Sequence, residues 1–416
     1  MDKNASCLPC HTVGYGSPNG FIDEATTPSL AGVQCENCHG PAGGHATKPL
    51  DKNNKPDQSL LPVRTFAGEM CGGCHTDSQH PTYEEWAGSL HGTTQIPQEE
   101  FADPAGGPGR MLTCGACHSA ASRTALLNGA AQYPNPGDFQ SNVTTNDMPS
   151  TAVASTTGIT CVACHDPHFK ENDSQLRFPL ASKIPFSYNT GTNFAANYNP
   201  DVQVCAQCHN MRGASWTGTS RPPHHSPQYN ILIGYGGYDA GIAPGDVPQS
   251  AHMDIDTQCA HCHTHPSTPP SVSESTPAYM GHDFTPTMQA CAPCHDEVGA
   301  ALLMATIQAN TKKQIAEVKG LLDQWALTKA PADLSTKYGA LAWEFTSIGQ
   351  LSTPTAQVPT GPTTAEQKAV PDSIKQARHN LYMIEHDHSY GVHNGIYSRF
   401  LLNVARTNVL TALHAQ

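Results

Sequence analysis

Residues 35–45 read CENCHGPAGGH. Two cysteines stand three positions apart, a histidine follows the second directly, and His45 comes six residues after that histidine. Such a cysteine pair can be half of a zinc site, two disulfide partners, or the covalent anchor of a c-type haem. Counting separates the three. All 16 cysteines fall into eight copies of one pattern: Cys7-Cys10-His11, Cys35-Cys38-His39, Cys71-Cys74-His75, Cys114-Cys117-His118, Cys161-Cys164-His165, Cys205-Cys208-His209, Cys259-Cys262-His263 and Cys291-Cys294-His295. Chance placement at this composition would give roughly 0.03 copies.

A zinc reading must combine cysteine pairs into four-ligand sites and gives no reason for the histidine that follows every second cysteine. A disulfide framework gives none either. Haem attachment explains each residue. The thiols add to the two vinyl groups on one porphyrin edge, and the next residue carries the imidazole that takes the proximal position on iron. Eight covalently attached haem c groups are therefore expected, with the histidine of each motif as an iron ligand.

Composition agrees with a chain that uses cofactors as its core. Charged residues are 14% of the sequence, against about 25% in ordinary domains. Glycine and proline make 69 of the 416 residues, which marks a loop-rich chain. One haem for every 52 residues gives each short segment a rigid apolar surface to pack on, so long elements are not needed to bury a core, and the apo chain is not expected to fold. The expected fold is that of a multihaem cytochrome c, mostly loops and short helices on haems, with little β structure. Motif starts lie 28, 36, 43, 47, 44, 54 and 32 residues apart, which excludes a solenoid of equal repeats. Short tethers make consecutive haems the expected spatial neighbours.

Thioether attachment takes place outside the cytoplasm, so a periplasmic or extracellular location is expected. The six residues before Cys7, MDKNAS, have no hydrophobic stretch, and an export leader is expected to have been removed. No apolar run approaches the ~20 residues of a transmembrane helix. Formal charge is −13, and ionised propionates would take it to about −21 in the oxidised state. Nucleic acid is thereby excluded as a partner; redox proteins or an external electron acceptor fit the charge.

Fifteen of the 23 histidines lie outside the motifs, more than the eight needed to give every iron a second imidazole. Stretches such as GVQCENCHGPAGGH, HPTYEEWAGSLH, ITCVACHDPH, GHDFTPTMQACAPCH and IKQARHNLYMIEHDHSYGVHNGIYSRFLL resemble the superfamily of cytochrome c554, pentahaem nitrite reductase and octahaem hydroxylamine oxidoreductase. The likeness touches most of the chain and specifies a superfamily, not an activity. It implies distal ligands at His45, His80, His91, His168, His252, His282 and His393, with an eighth from the PPHHSPQ pair, through His225 or His224. His379, His386, His388 and His414 fall where the related helices carry assorted residues, and are read as packing histidines; His261 and His265 stay open. His45, six residues from its own proximal histidine, is expected to reach a neighbouring haem.

Residues 1–297 form the octahaem-binding region, and 298–416 a helical C-terminal region that supplies a distal ligand within the same continuous body. There, apolar residues recur at helical spacing at Val298, Leu302, Ala305 and Ala309, then Ile315, Val318, Leu322 and Trp325. A second helix is expected over about 366–387 with Ile374, Ala377, Leu381 and Ile384 inward, and a third over about 395–413 with Phe400, Val404 and Leu410. Residues 265–278 and 352–364 are rich in Pro, Ser and Thr and read as extended linkers.

Two functions compete. One is electron transfer through a chain of bis-histidine haems, which conduct and bind no substrate. In its stronger form the protein resembles extracellular cytochrome nanowires, homopolymers in which a spare histidine of one subunit ligates a haem of the next. The other is an oxidoreductase acting on nitrite, hydroxylamine or tetrathionate at one five-coordinate or lysine-ligated haem, with Lys170 or Lys183 as a ligand. All eight motifs end in histidine, whereas the related nitrite reductases place lysine at one, so the conduit is the preferred reading and no catalytic residue is assigned.

Overall fold

Each Cys-x-x-Cys-His segment closes a single helical turn. In the computed structural model, which describes residues 4–48, 50, 57–101, 110–111, 114–132, 148–168, 174–177, 204–243 and 246–415, the histidine amide bonds the carbonyl of the first cysteine in motif after motif. The His11–Cys7 bond is 3.1 Å, His75–Cys71 2.9 Å, His118–Cys114 3.0 Å, His165–Cys161 2.9 Å, His209–Cys205 2.9 Å and His295–Cys291 2.9 Å. Positions i, i+3 and i+4 share one face of a helical turn, so both thiols and the imidazole leave each turn on the same side. The turns are short because the flanking residues stop them. The helix Cys35–His39 starts at a capping box of Gln34 and Asn37 and ends at Gly40, whose φ of 74° only glycine adopts without strain.

Among the described residues there are helices, turns and isolated bridges such as Thr12–Ala31 and Ser267–Tyr279, and no strand. The chain forms two compact units. One comprises Met1–Leu127, Thr145–Pro167 and Pro266–Thr285; the other comprises Asn128–Thr144, His168–His265 and Pro286–Gln416. The first holds the five N-terminal motifs and the second the remaining three. Both units run across the sequence in pieces, so the grouping does not follow a cut at residue 297.

Within the first unit the helix Thr82–Gly88 is the hub. Trp86 donates its indole N–H to the Ile159 carbonyl at 2.8 Å, just ahead of the fifth motif. The Tyr83 ring lies so close to Gly72, inside the third motif, that a Cβ there would meet it at 2.6 Å. Arg123 donates from Nε to Ala163 at 2.9 Å and from Nη1 to Ala116 at 3.0 Å, tying the fifth motif to the fourth. The described apolar clusters of this unit are small, with Phe101, Met111 and Ala154 buried together.

The second unit has a conventional core. Its long helices are α1 (Glu297–Thr328), α2 (Ala332–Tyr338), α3 (Asp372–Asp387) and α4 (Gly395–His414). Asp296 caps α1 by accepting from Gly299 N at 2.8 Å, and Asn394 caps α4 by accepting from Tyr397 N at 3.0 Å. Ile315, Val318, Leu322 and Trp325 of α1 pack with Ile374, Ala377, Leu381 and Ile384 of α3 and Leu401, Leu402, Ala405 and Val409 of α4. The expected second helix is shortened by Pro371, which leaves a separate turn at Glu366–Ala369. Two stripes differ from the expectation. On α4 the buried residues are Leu401, Leu402, Ala405 and Val409, a face rotated from Phe400, Val404 and Leu410. On α1 the stripe turns away from the core in its first half, where Val298 is 80% and Leu302 68% exposed.

Arg378 of α3 is fully buried and donates to the carbonyls of Trp343 (2.8 Å) and Glu344 (2.7 Å) and to Gln367 Oε1 (2.9 Å). Tyr382 donates to the buried Glu344 carboxylate. Burial raises Glu344 above the usual carboxylate range and lowers Arg378 to about 10. The stretch 352–364, expected as an extended linker, is anchored where Thr346 Oγ1 and Gln367 Nε2 both donate to the Pro362 carbonyl. The 265–278 stretch folds on itself through bridges between Ser267 and Tyr279 and between Ser273 and Thr276.

Candidate haem-binding sites

The motif turns lie beside one another within each unit, in chain order in the second unit but not in the first. In the first unit the Cys71 thiol hydrogen-bonds that of Cys161, which lowers Cys71 to about 7 and, with burial, raises Cys161. Cys74 is raised to about 11, by burial first and then by its hydrogen bond with Cys10. The third motif is therefore a neighbour of the fifth and of the first. In the second unit Cys259 hydrogen-bonds Cys205, and Cys262 is raised to about 11 by burial and by the nearby Cys291. In the first unit chain order and spatial order differ because helix Thr82–Gly88 packs on the third motif and reaches the residues just ahead of the fifth.

Four pairs of imidazoles have ring centres at about the separation that two ligands of one iron require; His261–His265 (6.1 Å) and His386–His388 (6.5 Å) pair histidines outside the motifs, and the other two pairs each include a motif histidine. A metal–imidazole bond of about 2 Å on each side puts the two ring centres roughly 6 Å apart. The rings of His165 and His282 have centroids 6.3 Å apart and planes 27° apart. Those of His263 and His393 lie 6.1 Å apart at 57°. In both pairs one member is a motif histidine and the other a candidate distal ligand. Burial lowers His282 below its ordinary value. For His393 burial works in the same direction, but the Asp387 carboxylate and their hydrogen bond outweigh it and raise the imidazole.

Ring-nitrogen partners sort the remaining histidines. An imidazole that gives Nδ1–H to an oxygen keeps Nε2 as a lone-pair donor for metal. His39 does so toward Val63 O (2.5 Å), His252 toward Val392 O (3.0 Å) and His282 toward Met280 O (3.1 Å). His393 gives Nδ1–H to Asp387 Oδ1 at 2.6 Å. His224 gives it to Ser226 Oγ at 3.0 Å, the hydroxyl proton being committed to Asn210 O. His261 and His379 are the reverse: their Nε2 is spent on the carbonyls of Ala290 and Gly236, both at 2.9 Å. For His379 this leaves Nδ1 buried without a hydrogen-bond partner.

The other candidates are placed as follows. His45 lies on the helix Gly43–Thr47 with Nδ1 buried and without a hydrogen-bond partner. His80 is exposed at the turn leading into helix Thr82–Gly88. His91, on Leu90–Thr93, meets the edge of Phe284 at 4.5 Å. His168 is exposed, three residues after His165. His225 packs 5.3 Å from His224 and 4.7 Å from His386, too close for an iron between either pair. His386, read from the sequence as a packing residue, is buried with Nδ1–H given to Pro223 O at 2.7 Å, and its Nε2 lies 3.2 Å from the Glu385 carboxylate. Lys170 and Lys183 lie outside the described residues.

Sequence reasoning also missed Glu85. Its two carboxylate oxygens accept from Met280 N and His282 N, both at 2.8 Å, and so clamp the loop that carries His282. No sequence signal pairs residues 195 and 197 positions apart.

These sites fit haem c. Among the described residues no three His, Cys, Asp or Glu side chains converge as a metal-ion cluster, and no disulfide joins the cysteines. Two thiols and an imidazole on one face of a turn, met by a second imidazole across the width of an iron, are the donor set of a haem c. The chain is a multihaem c-type cytochrome.

Comparison with known proteins agrees. Residues 1–40 match the cytochrome c554 and c-prime family, and residues 187–325 match domains II/IV of the outer membrane cytochrome MtrC/MtrF-like family. The multihaem cytochrome MtrA of Shewanella baltica (strain OS185) is 27% identical over 199 residues, 44% of this chain and 51% of that protein. The fold is similar to that of the undecahaem cytochrome from the S-layer of Carboxydothermus ferrireducens, with a TM-score of 0.53 and 20% identity over 92% of this chain and 50% of the other. It is also similar to the outer cell wall cytochrome OcwA, with a TM-score of 0.56 and 18% identity over 97% of this chain and 75% of that one. The chain thus spans about half the length of MtrA and of the undecahaem protein.

Proposed function

We propose that this protein carries eight haem c groups, one per motif, with a histidine on each side of each iron, and that it transfers electrons outside the cytoplasm. The observation that carries the reading is the pair of facing imidazoles, His165–His282 at 6.3 Å and His263–His393 at 6.1 Å. Each bound haem supplies a one-electron Fe(III)/Fe(II) couple. His165 with His282, and His263 with His393, would each hold an iron between two imidazoles, and an iron so held would exchange electrons while offering no place to a substrate.

On this reading His45, His80, His91, His168, His252, His282 and His393 are distal ligands, and the eighth comes from the cluster of His224, His225 and His386. The electron donor is a redox protein and the acceptor another redox protein, an external acceptor, or a further copy of this chain in a homopolymer. Membership of the multihaem cytochromes, with relatives named for an S-layer and an outer cell wall, supports a periplasmic or extracellular place. Among the described residues no helix is long and apolar enough to cross a membrane.

Low-temperature electron paramagnetic resonance of the oxidised holoprotein, run beside turnover assays with nitrite, hydroxylamine and tetrathionate, tests the reading. Low-spin signals alone, with rapid oxidation by ferric chelates and no substrate turnover, are expected. A high-spin ferric signal that accompanies turnover of one of those substrates would replace electron transfer with catalysis.

A further inference from the structure

Asp387 is the last residue of α3 and almost wholly inaccessible to water. A buried carboxylate is costly, and one at the C-terminal end of a helix also opposes the helix dipole. Its two oxygens are committed to specific donors. Oδ1 accepts from His393 Nδ1 at 2.6 Å, and Oδ2 accepts from the Ser389 hydroxyl. Ser389 Oγ in turn accepts from His393 N at 3.2 Å. The loop that brings these groups together holds two non-glycine residues in the left-handed region, His388 at φ 60° and Tyr390 at φ 52°, followed by Gly391 at 96°. Left-handed non-glycine residues persist where their surroundings over-determine them, and they cluster at functional sites.

His39, His252 and His282 give Nδ1–H to neutral main-chain carbonyls. His393 gives it to an anion. A carboxylate draws the Nδ1 proton toward itself, makes Nε2 a stronger donor and so favours the ferric over the ferrous state of the iron it ligates. We propose that Asp387 is a positioning and tuning residue that lowers the reduction potential of the haem held by Cys259, Cys262, His263 and His393. In the electron-transfer chain this haem is then a site where an electron does not rest. The proposal builds on the reading of His393 as a distal ligand.

The test is a mediated spectroelectrochemical titration of the full holoprotein and of three variants. Asp387→Asn keeps an acceptor for Nδ1–H and removes the charge. About one-eighth of the haem absorbance should move to higher potential while all haems stay low-spin. Ser389→Ala takes a donor away from Asp387, leaves more charge to act on His393, and should move the same fraction the opposite way. A purely structural role would not give shifts of opposite sign. An Asp387→Asn titration that overlays the parent, or one that gains a high-spin haem, overturns the tuning role. His393→Ala tests the ligation separately: one carbon monoxide-reactive haem is expected, and a fully low-spin spectrum overturns the ligand reading on which the proposal rests.

Discussion

Glu85 shows how much a single side chain decides. A hydrogen bond to a charged group contributes about 1.5–3 kcal/mol, and Glu85 makes two to the backbone of the His282 loop. Replacing it with alanine should raise the population in which His282 has left its place by roughly 10²- to 10⁴-fold. The readout is a carbon monoxide-reactive haem absent from the parent protein; an unchanged spectrum would remove Glu85 from this role. His379 gives a second prediction. Burial holds it down to about 4, so the folded protein binds its proton only well below the pH at which the unfolded chain does. Stability from the neutral ring is therefore full above about pH 6.5 and is lost as pH falls toward 4, by at most on the order of 3 kcal/mol. Hydrogen exchange of α3 should accelerate over that window, and His379→Gln, which keeps a donor for Gly236 O, should flatten the slope. The motif cysteines and histidines were legible in the sequence from their pattern alone. Nδ1 partners were not, because Val392 for His252 and Pro223 for His386 lie 140 and 163 residues away.

Among the elements, the helices α1, α3 and α4 could be read from apolar periodicity, since each packs one face on a real core. Their register was read less well. On α4 consecutive Leu401 and Leu402 are both buried, so the inward face is set by what α3 presents and not by the stripe of Phe400, Val404 and Leu410. On α1 the periodicity continues into turns where Val298 and Leu302 are exposed, and periodicity alone cannot tell a stripe on the core from one outside it. Leu322 is the sharpest probe of the core that does form, being fully buried with Trp325 and Leu381 in the same cluster. Leu322→Ala should cost about 2–5 kcal/mol in a thermal or denaturant melt of the holoprotein, with the haem spectra unaltered below the transition. A loss under 1 kcal/mol would mean that the haems, and not this core, hold the second unit.

At the scale of the whole molecule the class followed from eight repeats of one motif, while the grouping of those motifs did not. Even the expected adjacency of consecutive motifs is only part of the pattern, since Cys71 of the third meets Cys161 of the fifth. The tie responsible includes a single contact of Trp86 with a carbonyl 73 residues away, which leaves no periodic trace. What unites the two units is the proposed chemistry: eight irons closed on both sides, passing electrons without binding substrate. The most direct test is a carbon monoxide difference spectrum of the dithionite-reduced holoprotein, with haem counted per chain. Eight haems per chain and no response to carbon monoxide is the predicted result; one haem in eight shifting in the unmodified protein would contradict it and place a reactive iron at the end of the chain.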